Sequence, residues 1–171
     1  MQYYQKALLE AQEGGDPEAR SARLQERIVA YRAQLAPLLP LLSESGCDFF
    51  QQINLRGGLL LAFSFGDGLD TRRHNLDAFD ETYRRLRAEL QVLSAGRDAI
   101  YTLRYTTLRL CTVDAPAGAP DTEGAPGPLG DWQYDELTDA GEAFFRHEIQ
   151  FVSGATVLLE FRHFSYRKEV V

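Results

Sequence analysis

Apolar residues recur along the chain with helical spacing in some stretches and alternate in others. Tyr4, Leu8 and Ala11 form a short helical stripe over residues 2–13, which Gly14–Gly15 ends. Asp16 then offers an N-cap, with Pro17 at the first helical position and Glu18 in the first turn. From there Leu24, Ile28, Tyr31, Leu35, Leu38 and Leu42 follow one another at steps of 4, 3, 4, 3 and 4 residues, an a/d seam. Pro37 and Pro40 remove hydrogen-bond donors, so a kink or restart is expected near Ala36. The seam suits either an interface between subunits or packing on a sheet, and its short length favours the sheet. A third helix is predicted over 76–95, capped by Asn75, with Leu76, Phe79, Tyr83, Leu86, Leu90 and Leu93 on one face and Gly96 as its stop.

Elsewhere the pattern is that of strands. In "FFQQINLRGGLLLAFSF" the Gly57–Gly58 pair predicts a hairpin with Leu55 opposite Leu61 and Ile53 opposite Phe63. Residues 99–113 are rich in Thr, Tyr and Leu and could extend about 50 Å, a length at which a strand tends to bend, change partners or project as a ribbon. "FFRHEIQFVSGATVLLEFRHFSY" predicts a second hairpin about Ser153–Gly154. Its apolar face would hold Phe151/Val157, Ile149/Leu159, His147/Phe161 and Phe145/His163. Its other face would hold Arg146, Glu148, Glu160 and Arg162. The expected fold is α+β in a single domain spanning 1–171: an antiparallel sheet of two hairpins and one long strand, packed against two or three helices.

Residues 114–131, "DAPAGAPDTEGAPGPLGD", fit neither pattern. Pro116, Pro120, Pro126 and Pro128 alternate with Gly118, Gly124, Gly127 and Gly130, which makes an extended arm. Charge sharpens the picture. The chain carries a formal net charge of −7, and the span 114–142 holds eight acids and no Lys or Arg, so the remainder is close to neutral. Such a balance argues against general nucleic-acid binding, which depends on neutralising phosphates. No apolar run approaches the roughly 18 residues of a membrane span. The N-terminal segment lacks the basic flank and long apolar region of a secretory signal. Cys47 and Cys111 give no disulfide framework, so cytoplasmic synthesis is expected.

Ordering the arm costs on the order of 1–2 kcal/mol per residue before any contact forms. A neighbouring subunit is the expected source of compensation. Asp121, Glu123, Leu129, Asp131, Trp132 and Tyr134 would be the arm's contacts. Arg104, Arg109, Arg146, Arg162, Arg167 and Lys168 would be the basic surface receiving them. The function expected on this basis is a non-catalytic structural or assembly subunit of a homo-oligomeric ring or tube, in the architectural style of viral tail or neck components. The alternative is a regulatory or small-ligand-binding domain with an anion site in the 66–75 loop, where Arg72, Arg73 and His74 precede a predicted helix N-terminus. His147, His163 and Cys111 do not have zinc-site spacing, and His147 reads as a core histidine with a satisfied ring nitrogen. No nucleophile elbow, HExxH, Walker loop or dinucleotide fingerprint is present, so neither catalysis nor a metal or other cofactor is expected.

Overall fold

Pro17 does open a long helix, and the prolines at 37 and 40 do end it. The computed structural model describes residues 17–67, 86–115 and 129–171. Among them, α1 (Pro17–Leu35) is followed by a short 3-10 helix (Leu39–Leu41) and α2 (Glu44–Gln52). The strands are β1 (Leu59–Asp67), β2 (Leu86–Leu93), β3 (Ala99–Thr106), β4 (Leu110–Asp114), β5 (Trp132–Gly141), β6 (Phe144–Phe151), β7 (Thr156–Phe161) and β8 (His163–Val170). They form two antiparallel four-stranded sheets, β1-β2-β3-β8 and β4-β7-β6-β5. The α+β class therefore holds, with two sheets where a single one was expected. The helix 2–13, the residues 76–85, the middle of the acidic arm and the 68–75 part of the polar loop lie outside the described residues.

Two elements differ from the sequence reading. Residues 49–52 belong to α2 and pair with no strand; Ser43 caps that helix, its hydroxyl accepting from Gly46 N at 3.2 Å. Gly57–Gly58 therefore closes a turn leading into β1, with Gly58 N donating to Leu55 O at 2.8 Å and Gly57 at φ +79°. A Cβ on Gly58 would lie 2.8 Å from the carbonyl oxygens of Leu55 and Leu93, which rules out a side chain there. The second difference is the C-terminal part of the helix expected over 76–95, which is strand β2. Leu86 and Leu90 share a face in either a helix or a strand. The deciding residues are Ala88, Leu90 and Val92, all buried, which alternate with Arg87, Glu89 and Gln91. Flanking ladders to β1 and β3 then override the helical propensity of Leu, Arg, Ala and Glu.

The long segment 99–113 changes partners, as its length suggests. β3 and β4 lie in different sheets, with Thr107 at φ +57° at the corner between them. β7 and β8 make the same passage beside them. Arg109 N donates to Glu160 O at 2.9 Å and Arg162 N to Thr106 O at 3.4 Å, so the two chains run as one ribbon through both sheets. The hairpin about Ser153–Gly154 forms, with its faces as expected and its register shifted by two residues. Ile149 pairs with Val157, His147 with Leu159 and Phe145 with Phe161, while His163 passes to the other sheet. A shift of two keeps every side chain on its face.

On the opposite side the sheets meet again. Leu59 bridges Asp131, Gly57 N donates to Trp132 O at 2.8 Å, and Trp132 N donates to Gly58 O at 2.7 Å. The inner faces share one core built on Leu90, Leu103, Tyr105, Trp132, Ile149 and Phe161. Each such side chain contributes about 1.5–3 kcal/mol on burial. α2 lies along β8 and covers its outer edge: Ser43 Oγ donates to Phe164 O at 2.9 Å, and Tyr166 N donates to Ser45 Oγ at 3.2 Å. Tyr31, Leu35 and Leu38 of the a/d seam are buried, so the seam packs inward. Tyr31 fixes α1 to β5 by accepting a hydrogen bond from Leu137 N at 2.9 Å. No helix among the described residues is long and apolar enough to cross a membrane.

Candidate functional site

β5 carries the irregularity that builds the site. Trp132 pairs with Phe151 and Tyr134 with Gln150, so Gln133 is an extra residue, a β-bulge. Without it Trp132 and Asp135 would face opposite sides of the sheet. With it, Trp132, Asp135 and Leu137 share the inner side, opposite Phe151, Ile149 and His147. Trp132 Nε1 consequently donates to Asp135 Oδ1 at 2.9 Å.

A chain of hydrogen bonds runs from this carboxylate into the core. His147, with 0% exposure, reaches Asp135 Oδ2 with Nε2 at 3.1 Å and the Tyr105 hydroxyl with Nδ1 at 2.7 Å. Burial raises the Tyr105 phenol well above the usual tyrosine range, and the Asp135 charge adds to this. The phenol therefore keeps its proton and shares a hydrogen bond with Nδ1. Both ring nitrogens of His147 are thus engaged, Nδ1 by Tyr105 and Nε2 by Asp135. Edge-on contacts close the surroundings: the Phe50 ring lies 5.1 Å from His147, and Tyr105 packs at 5.0 Å against both Phe161 and Phe164.

Asp135 is the member that faces outward. Its side chain is 28% exposed, and it forms part of the wall of a cavity of about 570 Å³ between α1, α2 and β5. Ile28, Leu35, Leu39 and Ile53 make the aliphatic part of that wall, and Tyr31, Phe49 and Phe50 the aromatic part. Arg32 and Arg56, both exposed, also line it, with Arg56 set over the Tyr134 ring at 5.0 Å. A Tyr–His–Asp chain invites comparison with catalytic triads, but here the order is inverted. The hydroxyl and both imidazole nitrogens are enclosed and mutually engaged, so none of them can attack or deprotonate a molecule in the cavity. What the arrangement presents is a fixed carboxylate.

Of the residues singled out from the sequence, Trp132 is 1% exposed, so it anchors its own chain. Leu129 packs against the same core, its carbonyl accepting from Ser153 Oγ at 2.6 Å, and Asp131 O accepts from Val152 N at 2.8 Å. The basic side chains expected to receive the arm have partners in their own chain. Arg104 pairs with Glu89 at 2.8 Å and Arg167 with Glu169 at 3.3 Å. Arg109 pairs with Glu160 and Glu142, each at 2.9 Å, and Arg146 with Glu160 at 2.6 Å. Arg162 lies over Phe144 at 4.6 Å, and Lys168 over Tyr101 at 5.6 Å. Asp121, Glu123, Arg72, Arg73 and His74 lie outside the described residues. His163 is exposed on β8, and no group of three metal-ligating side chains forms among the described residues.

Sequence reasoning placed His147 correctly in the core but missed Asp135 and Tyr105 as its partners. One signal was available. Trp132 and Leu137 are large apolar residues an odd number of positions apart, and both can face inward on one strand only if it contains an extra residue. No family model, curated protein or solved structure matches the chain.

Proposed function

We propose that the chain is a non-catalytic binding module that seats a small amphipathic ligand in the cavity between α1, α2 and β5. The observation carrying this reading is Asp135. It is held from behind by Trp132 and His147 and lines a cavity of ligand size with both apolar and polar walls. It is the ligand-binding alternative drawn from the sequence, with its centre on β5 in place of the 66–75 loop. Trp132 is the chain's single tryptophan and touches the carboxylate, so it is a built-in reporter. Titration with small amphipathic amines, acids and amino acids is expected to give a saturable change in its emission, abolished by Ala36→Phe in the cavity wall. A panel without any saturable response removes the reading.

Self-association is a second reading, favoured by two strand edges. Among the described residues β1 and β4 end their sheets and expose Leu61 at 46%, Phe65 at 50%, Leu110 and Val113, whereas the β8 edge is covered by α2. Uncovered apolar edges are pairing surfaces. In this reading the assembly contact expected of the acidic arm passes to the sheet edges. Sedimentation velocity of the wild type and of Phe65→Lys tests it.

A further inference from the structure

We infer that the cavity selects a zwitterion: a protonated primary amine that carries its own carboxylate on an aromatic or branched aliphatic body, the size of a hydrophobic amino acid. The inference rests on the cavity being a binding seat. It adds the charge pattern of the occupant.

The hydrogen-bond chain decides the first charge. Tyr105 engages Nδ1 and Asp135 engages Nε2, so both imidazole nitrogens are occupied, and among the described residues Asp135 makes no ion pair with a Lys or Arg. Trp132 and His147 each occupy one carboxylate oxygen from the core side. Each oxygen retains a lone pair, and the partly exposed side chain is one of those lining the cavity. A ligand group placed there must donate. An ammonium does so with charge assistance, and the aromatic walls at Tyr31, Phe49 and Phe50 suit a cation as well as an apolar body.

The second charge comes from Arg32 and Arg56. Both line the same cavity and both are more exposed than Asp135, so they mark the solvent side. Two guanidinium groups disfavour a bare cation and offer planar donors to a carboxylate. A simple acid would satisfy the arginines and oppose Asp135; a simple amine would do the reverse. A molecule bearing both groups satisfies each end. Its body would lie against Ile28, Leu35, Leu39 and Ile53.

L-Phenylalanine, phenethylamine, 3-phenylpropionate and the neutral 3-phenylpropanol separate the possibilities, measured by Trp132 emission and calorimetry. Phenylalanine is expected to bind tighter than either singly charged probe by about tenfold, the equivalent of one charge-assisted contact. Asp135→Asn is expected to remove that advantage over phenylpropionate. The double variant Arg32→Gln/Arg56→Gln is expected to remove the advantage over phenethylamine. The arginines are exposed, so this second variant keeps the test valid should Asp135→Asn fail to fold. Equal or tighter binding of phenylpropionate, phenethylamine or phenylpropanol, blocked by Ala36→Phe, overturns the zwitterion and leaves the cavity as a ligand seat. No response to any of the four overturns both.

Discussion

Tyr105 ties the chemistry of the site to the stability of the fold. Its phenol stays protonated in the folded protein, while in the unfolded chain it ionises near pH 10, as tyrosines ordinarily do. A folded value raised in this way stabilises the protein below pH about 10. The stability is then lost as pH rises, by about 1.4 kcal/mol per pH unit, until the folded phenol also titrates. Tyr166, whose hydroxyl donates to Asp48 and is pushed up to about 12, contributes to the same limb. Because it is more accessible to solvent, its contribution is the smaller. Urea midpoints measured between pH 8 and 11 are therefore expected to fall above about pH 10. Tyr105→Phe is expected to flatten that fall more than Tyr166→Phe does. At pH 7 Tyr105→Phe leaves Nδ1 of His147 without its partner and is expected to cost about 1–3 kcal/mol. A neutral effect would show that this hydrogen bond does not hold the imidazole. Nothing about residue 105 in the sequence announces this role, because its partners lie 42 and 30 positions away on β6 and β5.

At the scale of elements, two contacts on the second sheet invite measurement. Glu160 on β7 is nearly buried, and burial alone would raise its carboxyl. Hydrogen bonds from Arg146 and Arg109 outweigh burial and hold it below the usual range. A depressed folded value contributes stability above the unfolded value of about 4.3, and that stability is lost as pH falls through the folded value. Glu160→Gln is expected to weaken the β4–β7–β6 ladder by about 1–3 kcal/mol at pH 7 and to reduce the loss of stability on acidification. Thermal melts at pH 7 and 3 check both parts. The β5–β6 hairpin offers the opposite case. Gly141 pairs with Phe144 across a two-residue loop in which Glu142 and Ala143 have φ +56° and +61°. Such a loop favours Asn-Gly, so Ala143→Gly is expected to raise stability by about 1 kcal/mol, visible as a higher urea midpoint. The elements themselves were unevenly legible. α1 announced itself by Pro17 and its heptad stripe, and the β6–β7 hairpin by its sorted faces. β2 and α2 did not, because Leu86/Leu90 satisfies both periods and the Phe49–Phe50 pair is too short to show one.

For the whole molecule, the decisive feature is that two continuous chains pass through both sheets while β5 meets β1 on the far side. This arrangement encloses Trp132 within its own chain, and the arginines of the second sheet find carboxylates on neighbouring strands. The basic residues expected to receive the arm thus have partners within one chain. In the self-association reading, β1 and β4 are the edges that the described residues leave open to a second copy. Sedimentation velocity at micromolar concentration is expected to show a species heavier than the 19.3 kDa monomer, which Phe65→Lys returns to monomer. A wild-type monomer rejects self-association through β1. Ligand binding at Asp135 is independent of that outcome, since none of the cavity's polar groups lies on β1 or β4.

The sequence by itself determined the α+β class, the start of α1 and its interruption near Ala36, and the faces of the β6–β7 hairpin. All of these depend on residues close together in the chain, where proline geometry and the side-chain periods of 3.6 and 2 act directly. Only the tertiary structure decided that there are two sheets, that 86–93 is a strand, and that Asp135 faces a cavity. Those outcomes depend on a bulge at Gln133 and on ladders between strands far apart in sequence. There the burial of one partner's side chains selects the conformation of the other, and no local pattern contains that information.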